Sequence, residues 1–457
     1  MDIKGKKVLI VGLAKSGAAA AKALSAMGAE VSGYDRKKFT GIDPEAAALL
    51  AGSAGRLLLG GTEPLEDEDW DLLVLSPGVP LDLPFIANAA ARGAEVIGEL
   101  ELAWRLSRAS FAAVTGTNGK TTTTTLLGEI FKLAGRKTAV AGNIGYPAVS
   151  AALEDGMDEA AWMVTEVSSF QLETTKEFHP RVALLLNITP DHLDRHGSLE
   201  SYAAAKARIH ANQNEGDVFV ANMDDPSAWA AREGCRARVM GFSRLREPEQ
   251  GAFVRGGRIT VRGADGLTAD ICGVSELQIP GAHNLENALA AAAAAFAAGV
   301  GPEVIGEALR AFRGVAHRLE PAGEIGGVRF VNDSKGTNVD AAIKAIEATE
   351  PMIILIAGGY DKHVSFDAFI DAFSGKVKAL MLMGATAGQI KAAAEAKGFG
   401  DLALCGGMRE CVEKAYALAE PGDTVLLSPA CASWDMYSCF EERGEDFKDC
   451  VRGLGGS

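Results

Sequence analysis

The chain has 457 residues, a formal net charge of −15, 48% hydrophobic residues and only 6% aromatics. That length suits about three domains. The acidic balance argues against a nucleic-acid binder, which needs a basic footprint, but allows anionic nucleotides wherever lysines and backbone amides are concentrated.

The seven cysteines are scattered without a C-x-x-C pair, which predicts reduced thiols in a cytoplasmic protein. No signal-peptide pattern and no apolar run long enough to span a bilayer is present. Taken in chain order, "KKVLIVG", "GAAAAKALSAMG" and "AEVSGYD" read as strand, helix and strand, followed by "DLLVLSPGV" and "AEVIGE". Such alternation predicts βαβ units and a mostly parallel sheet. The pattern restarts at "FAAVTGTNGKTTTT", with buried strands at "WMVTEVSS" and "VALLLNITPDH" and a hairpin at Gly256-Gly257. The alanine run at 287–299 reads as a buried helix. From about Ala316 a third βα series follows: "VRFVNDS", "PMIILIAGG", "KALMLMG" and "DTVLLSPA".

The sharpest motif is "AVTGTNGKTTTT". Glycines at 116 and 119 between a strand and a helix let backbone amides turn toward a phosphate at the helix N-terminus. Lys120 would reach terminal phosphates, and the Thr121 hydroxyl would hold Mg²⁺. Val114 stands where a P-loop has its first glycine, which makes this a shorter variant. Near the N-terminus, Gly12 and Gly17 open a helix and Asp35 ends the next strand. Ala14 replaces the second glycine of a dinucleotide fingerprint, so a nucleotide site and an ordinary turn both fit.

Glu166 falls at the end of a predicted buried strand, where a carboxylate needs a cation or a partner; a salt bridge and an Mg²⁺ ligand both fit. Asp191 and His192 follow another strand end. Ser198 reads as an N-cap with Glu200 in the first turn. On spacing alone Lys206, on the side of Tyr202 and Ile209, reads as a snorkelling surface lysine. Asn284 and Asn287 lie one turn apart, suited equally to capping and to reading a purine edge. His317, Arg318, Asp333, Lys335, Lys362, Ser433 and Phe440 cluster after strands of the last third, as a wall over an anionic substrate would require.

Together "TGTNGKTTT", "EVSSFQLE", "NITPDHLDRH", "YAAAKARI", "PGAHNLENALAA", "AHRLE", "NDSKGTN" and "SPACASWDMYSCFEERG" resemble the Mur ligase superfamily. "SSFQLE" and "SPACAS" narrow the resemblance to its D-glutamate-adding branch. The match runs in order from about residue 7 to 450. It implies an α/β fold of three domains. The first, 1–98, is Rossmann-like and binds a UDP-sugar. The second, 99–314, is a P-loop ATPase-like parallel sheet with extra β elements. The third, 315–457, is Rossmann-like, binds the incoming amino acid and closes over ATP.

By the same resemblance, Gly116, Thr117, Asn118, Gly119, Lys120, Thr121, Thr122, Asn284, Asn287, Arg318, Asp333 and Lys335 bind ATP. Asp35, Arg36, Ser76, Asn143 and Ser168 face UDP-N-acetylmuramoyl-L-alanine, and Thr337, Lys362, Ser433 and Phe440 hold D-glutamate. Lys120, Glu166, His192 and Lys206 are the implied catalytic set. Two Mg²⁺ ions are implied, one on Thr121 and Glu166, the other on His192 and a Lys206 carbamylated by CO₂. The resemblance also implies a monomer with no nucleic-acid or membrane partner. Gly336 and His363 depart from the family's usual residues.

The implied chemistry fits the residues: phosphorylating a carboxylate makes its carbon electrophilic toward an amine, and a lysine with metal ions offsets the charge in transit. His192 as metal ligand excludes His192 as free base for that amine. Two other classes compete. An NAD-dependent oxidoreductase predicts a complete G-x-G-x-x-G and leaves Lys120 idle. A nucleotide-hydrolysing switch needs no elaborate third domain.

Overall fold

The computed structural model describes residues 1–38, 41–51, 55–61, 68–143, 145–362 and 364–454, with only the backbone of residue 194. His363 lies outside them. The chain forms two compact units, Met1–Glu276 with Glu286–Arg310, and Leu277–Leu285 with Ala311–Ser457.

The first unit begins with a five-stranded parallel sheet in the order β3-β2-β1-β4-β5. Its strands are β1 (Lys7–Val11), β2 (Glu30–Asp35), β3 (Leu57–Leu59), β4 (Leu72–Leu75) and β5 (Glu95–Gly98). Val8 to Val11 are buried in an unbroken run, as a parallel strand covered on both faces requires. The helix Lys15–Ala26 sits tight on the end of β1 because Gly17 has no Cβ, which would lie 1.9 Å from Gly12 O.

β5 passes directly into the helix Glu99–Leu106. Glu101 is fully buried there, and its carboxylate accepts the N–H groups of Lys176 (2.9 Å), Glu177 (3.1 Å) and Phe178 (3.0 Å). Glu99 is less well satisfied. Its Oε1 accepts Val149 N–H at 2.7 Å, but the buried Oε2 has no partner among the described residues.

Burial lifts the Glu99 carboxyl from 4.5 to about 7, against the pull of the Val149 and Ala148 amides. The folded chain therefore holds this proton more tightly than the unfolded chain. Stability from this group is complete below pH 4.5 and is lost as pH rises through 7. A Glu99→Gln variant is expected to be more stable than the parent at pH 8, by about 3 kcal/mol at most, with the gain gone at pH 4.5. Urea denaturation at the two pH values measures this; an equal difference at both would remove Glu99 as the cause.

The second sheet has nine strands in the order β14-β13-β12-β11-β10-β9-β6-β8-β7. β6 (Ser110–Thr115), β7 (Thr138–Gly142), β8 (Trp162–Glu166), β9 (Val182–Leu185), β10 (Val218–Asn222) and β11 (Arg238–Ser243) run parallel. β12 (Gly251–Arg255) pairs parallel to β11, and β13 (Arg258–Arg262) and β14 (Thr268–Gly273) continue antiparallel. The expected hairpin is found, with Gly256 and Gly257 at φ +54° and +74° turning Arg255 onto Arg258. The alanine run is buried as expected: Ala288 and Ala290–Ala295 are wholly inaccessible within the helix Ala282–Ala297.

The sheet of the second unit has the order β15-β16-β20-β17-β18-β19. It comprises β15 (Glu320–Ile325), β16 (Val328–Asn332), β17 (Ile353–Ala357), β18 (Val377–Leu382), β19 (Leu402–Leu404) and β20 (Thr424–Leu427). All pairings are parallel except β15 with β16. β15 is absent from the sequence reading. It is a polar edge strand with a register shift between Pro321 and Gly323, and such edges lack the apolar run by which strands are recognised.

Candidate active site

β6 lies mid-sheet between β9 and β8, so the loop after it opens where strand order reverses, the usual position for a ligand crevice. Gly116 (φ +152°) and Gly119 (φ +82°) take backbone conformations that other residues rarely adopt, and Gly119 caps the helix Lys120–Leu133. The loop is braced by the turn after β9. Thr117 N donates to Asn187 O (2.9 Å), Asn118 N donates to Asn187 Oδ1 (2.8 Å), and Thr117 Oγ1 donates to Thr189 O (3.1 Å). Asn187 was not singled out from the sequence. Its only signal is an asparagine two positions past a buried strand.

Lys120 Nζ folds over this loop, donating to Gly116 O (2.9 Å) and Thr117 O (2.8 Å). Thr121 Oγ1 donates to Glu166 Oε2 at 2.6 Å, and Asn143 Nδ2 donates to Glu166 Oε1 at 2.9 Å. Glu166 is 3% exposed, and the sheet order accounts for the meeting: β8 neighbours β6, which delivers Thr121, and β7, which delivers Asn143. The Thr121 hydroxyl and the Asn143 amide thus each donate to one of its two oxygens. Thr122 is buried, and its hydroxyl has no partner among the described residues. Asn287 Oδ1 accepts from Thr123 Oγ1 at 3.3 Å and lies where a Cβ on Gly119 would be.

Lys206 corrects the sequence reading. It does not snorkel but is 1% exposed, with Nζ donating to Gly116 O (2.8 Å) and lying 4.5 Å from the Tyr202 ring centre. The helix Leu199–Ala207, capped by Ser198 as expected, turns this face onto the loop rather than to water. Burial, then the Lys120 charge, drives its ammonium well below the ordinary lysine range, against the opposing pull of Asp191 and Glu166. His192 stands at φ +54°, half-exposed, 3.7 Å from Asp191 and packed edge-on to Phe170 at 4.9 Å. Ser168 caps the helix Ser169–Glu173 in a reciprocal pair with Gln171.

At the carboxyl ends of β1, β2 and β4 the structure brings together Asp35, Arg36 and Ser76. Asp35 Oδ2 accepts Leu13 N–H (2.7 Å) and Oδ1 accepts Lys37 N–H (2.9 Å), while Ser76 Oγ donates to Gly12 O (2.8 Å). Arg36 is exposed. The turn after β1 is thus tied through Gly12 to Ser76.

The second unit assembles its own cluster. Asp333, 4% exposed, accepts Ser428 Oγ at 2.7 Å. Burial raises its carboxyl to about 6, and Arg318 is the first of the charges opposing that rise. Arg318 Nε is buried without a partner among the described residues. Lys335 Nζ lies 4.7 Å from the Phe440 ring centre, and Lys335 N donates to His317 O (3.0 Å). Tyr360 N donates to Ala432 O (2.9 Å), which brings the loop bearing Lys362 alongside that bearing Ser433. Thr337 is half-buried in the turn after Lys335. Gly336 suits this chain's packing, since a Cβ there would meet Asp333 Oδ2 at 2.6 Å. Asn284 Nδ2 donates to Pro280 O (2.7 Å).

A Mg²⁺ ion prefers hard oxygen ligands and takes one or two carboxylates together with substrate phosphates and waters. The Thr121 hydroxyl and Glu166 carboxylate beside a phosphate-type loop meet that requirement. No group of three or more His, Cys, Asp or Glu arranged to hold a metal occurs among the described residues.

Three family models match in order: "Mur ligase MurD-like, N-terminal domain" over 6–98, "Mur ligase middle domain" over 114–295, and "Mur ligase, glutamate ligase domain" over 317–431. The UDP-N-acetylmuramoylalanine--D-glutamate ligase of Thermoanaerobacter sp. (strain X514) is 48% identical over 99% of this chain and 100% of its own length. The enzyme of the same name from Pelotomaculum thermopropionicum is 51% identical over 99% of both. In fold, the chain resembles the UDP-N-acetylmuramate-alanine ligase MurC of Thermotoga maritima. That likeness has a TM-score of 0.61 at 20% identity, covering 98% of this chain and 100% of the other. From the strand-end loop to the last matched segment, this chain belongs to the Mur ligase family, with an N-terminal domain of the MurD-like kind.

Proposed function

We propose that this chain is the ATP-dependent ligase that joins D-glutamate to UDP-N-acetylmuramoyl-L-alanine, releasing ADP and phosphate, in peptidoglycan precursor synthesis. The observation that carries the reading is the Lys120, Thr121 and Glu166 arrangement after β6, in a chain that matches D-glutamate ligases from end to end.

A carboxylate is inert toward an amine because its carbon is not electrophilic and oxide is a poor leaving group. Transfer of the ATP γ-phosphoryl to the alanine carboxylate forms a P–O bond and breaks the bond to ADP, giving an acyl phosphate. The D-glutamate amine then attacks the carbonyl carbon; the C–N bond forms, the C–O bond to phosphate breaks, and the amine loses a proton. Gly116 to Thr122 cradle the phosphates, and Lys120 leaves the Gly116 and Thr117 carbonyls to meet the negative charge in transit. Thr121 and Glu166 would hold one Mg²⁺, and His192 with a Lys206 carbamate would hold a second, and the ions would supply further charge neutralisation.

Carbamylation is supported by the buried Lys206 amine, since burial lowers its pKa and so favours the neutral form that is nucleophilic toward CO₂. Asn287 and Asn284 serve the adenine end, and Arg318, Asp333 and Lys335 close on the nucleotide. Asp35, Arg36, Ser76, Asn143 and Ser168 face the UDP-sugar. Thr337, Lys362, Ser433 and Phe440 hold D-glutamate. We assign domain bounds of 1–98, 99–314 and 315–457, each enclosing one family match.

The enzyme is assigned to the cytoplasm, which its seven free cysteines favour, and we propose that it acts as a monomer. Among the described residues no helix is long and apolar enough to cross a membrane. The test is phosphate release from ATP and Mg²⁺ with each substrate omitted in turn. Release is expected only when both UDP-N-acetylmuramoyl-L-alanine and D-glutamate are present; release independent of either would sink the ligase reading.

A further inference from the structure

Arg443, in the helix Phe440–Leu454, heads the fully buried side chains by volume, at 1% exposure. All its hydrogen-bond partners among the described residues are neutral oxygens. Nε donates to Ser334 Oγ (3.0 Å) and Nη2 to Ser334 O (2.7 Å). Nη1 donates to Cys431 O (3.1 Å) and Ala432 O (3.3 Å). Ser334 Oγ in turn donates to Phe440 O at 2.8 Å, closing the ring back to the arginine's own helix.

These acceptors lie on two loops that leave neighbouring strands, 333–338 after β16 and 428–434 after β20. The third loop, after β17, approaches the same group: a Cβ on Gly359 would stand 3.2 Å from Nη1 and 2.3 Å from Ala432 O. The three loops bear Asp333, Lys335 and Thr337, then Lys362, then Ser433. Burying a cation without a hydrogen-bonded carboxylate is costly, and burial pulls this guanidinium down to about 10, with Asp435 and Asp333 opposing only from a distance. A hydrophobic residue would fill the space at lower cost. What arginine adds is a planar fork of donors in fixed directions, which spans two loops at once as a lysine cannot.

We propose that Arg443 is a positioning residue that sets the spacing between the nucleotide-closing loop at 333–338 and the amino-acid-binding loop at 428–434. It acts on the D-glutamate end of the reaction without touching substrate. This rests on the ligase reading above. In the Arg443→Lys variant, KM for D-glutamate is expected to rise tenfold or more and kcat to fall tenfold or more. KM for UDP-N-acetylmuramoyl-L-alanine is expected to stay within twofold of the parent. Low-millimolar guanidinium chloride is expected to restore part of the D-glutamate affinity in Arg443→Ala and to leave the parent unchanged.

Unaltered constants in Arg443→Lys would overturn the proposal. So would a kcat loss that only tracks the unfolded fraction, with both KM values unchanged. If both arginine variants melt, Ser334→Ala removes the acceptor of Nε while keeping the cation, and the same KM split is expected. Amide hydrogen exchange separates this proposal from the ligase reading. Faster exchange confined to 333–338 and 428–434 in Arg443→Lys supports the positioning role even if the parent enzyme prefers another amino acid, and unchanged exchange there overturns it.

Discussion

Replacing Lys206 with arginine is expected to lower kcat by roughly three orders of magnitude, and added bicarbonate will not restore it. The Lys206 amine is 1% exposed, donates to Gly116 O and stands close enough to Lys120 for that charge to depress its pKa. Two cations crowded beneath one loop make poor sense for a resting ammonium. They make sense if one becomes an anion: CO₂ adds to the neutral amine, a proton leaves, and the resulting carbamate carries a negative charge facing Lys120.

Arginine stays protonated and is a poor nucleophile toward CO₂, so it roughly preserves the bulk while removing the chemistry. Lys206→Ala should be equally inactive but should regain part of its activity with a small carboxylate such as formate, which can enter the vacated space. Thermal melts of both variants separate lost chemistry from lost folding. A fully active Lys206→Arg enzyme would end the carbamate reading.

Glu166→Gln is the second substitution with a large expected effect. Gln keeps the shape of a side chain held by Thr121 and Asn143 at 2.6 and 2.9 Å, so the fold should tolerate it; removing a buried negative charge costs little once the amide finds one of those partners. The charge, however, is what a metal needs. Turnover is expected to fall about a thousandfold, and the Mg²⁺ concentration for half-maximal rate should rise sharply. A loss below tenfold with unchanged Mg²⁺ dependence would take Glu166 out of the metal site.

Much of this architecture is legible before folding. The strand–turn–helix around Gly116 and Gly119 follows from an apolar run, two glycines and a threonine-rich helix start, all local. So do the Gly256-Gly257 hairpin, the Ser198 cap and the burial of the alanine helix, because turn chemistry and apolar periodicity act over a few residues. The polar edge strand Glu320–Ile325 escaped, since an edge needs no apolar run.

Lys206 and Arg443 mark the boundary between what sequence and tertiary structure decide. The order of residues determined that Lys206 shares a helical side with Tyr202 and Ile209, and that a phosphate-type loop follows β6. Only the packed sheet decided that this helical side turns onto Gly116. The sheet order β9-β6-β8-β7 likewise decided that Asn187, Thr121, Glu166 and Asn143 meet around one turn. Arg443 gives no local signal of its role, because its four acceptor atoms arrive from loops 11 to 109 positions away along the chain. Local pattern reports which face of an element a residue occupies. Whether that face meets water or another backbone depends on contacts between distant segments, whose energies no single stretch of chain contains.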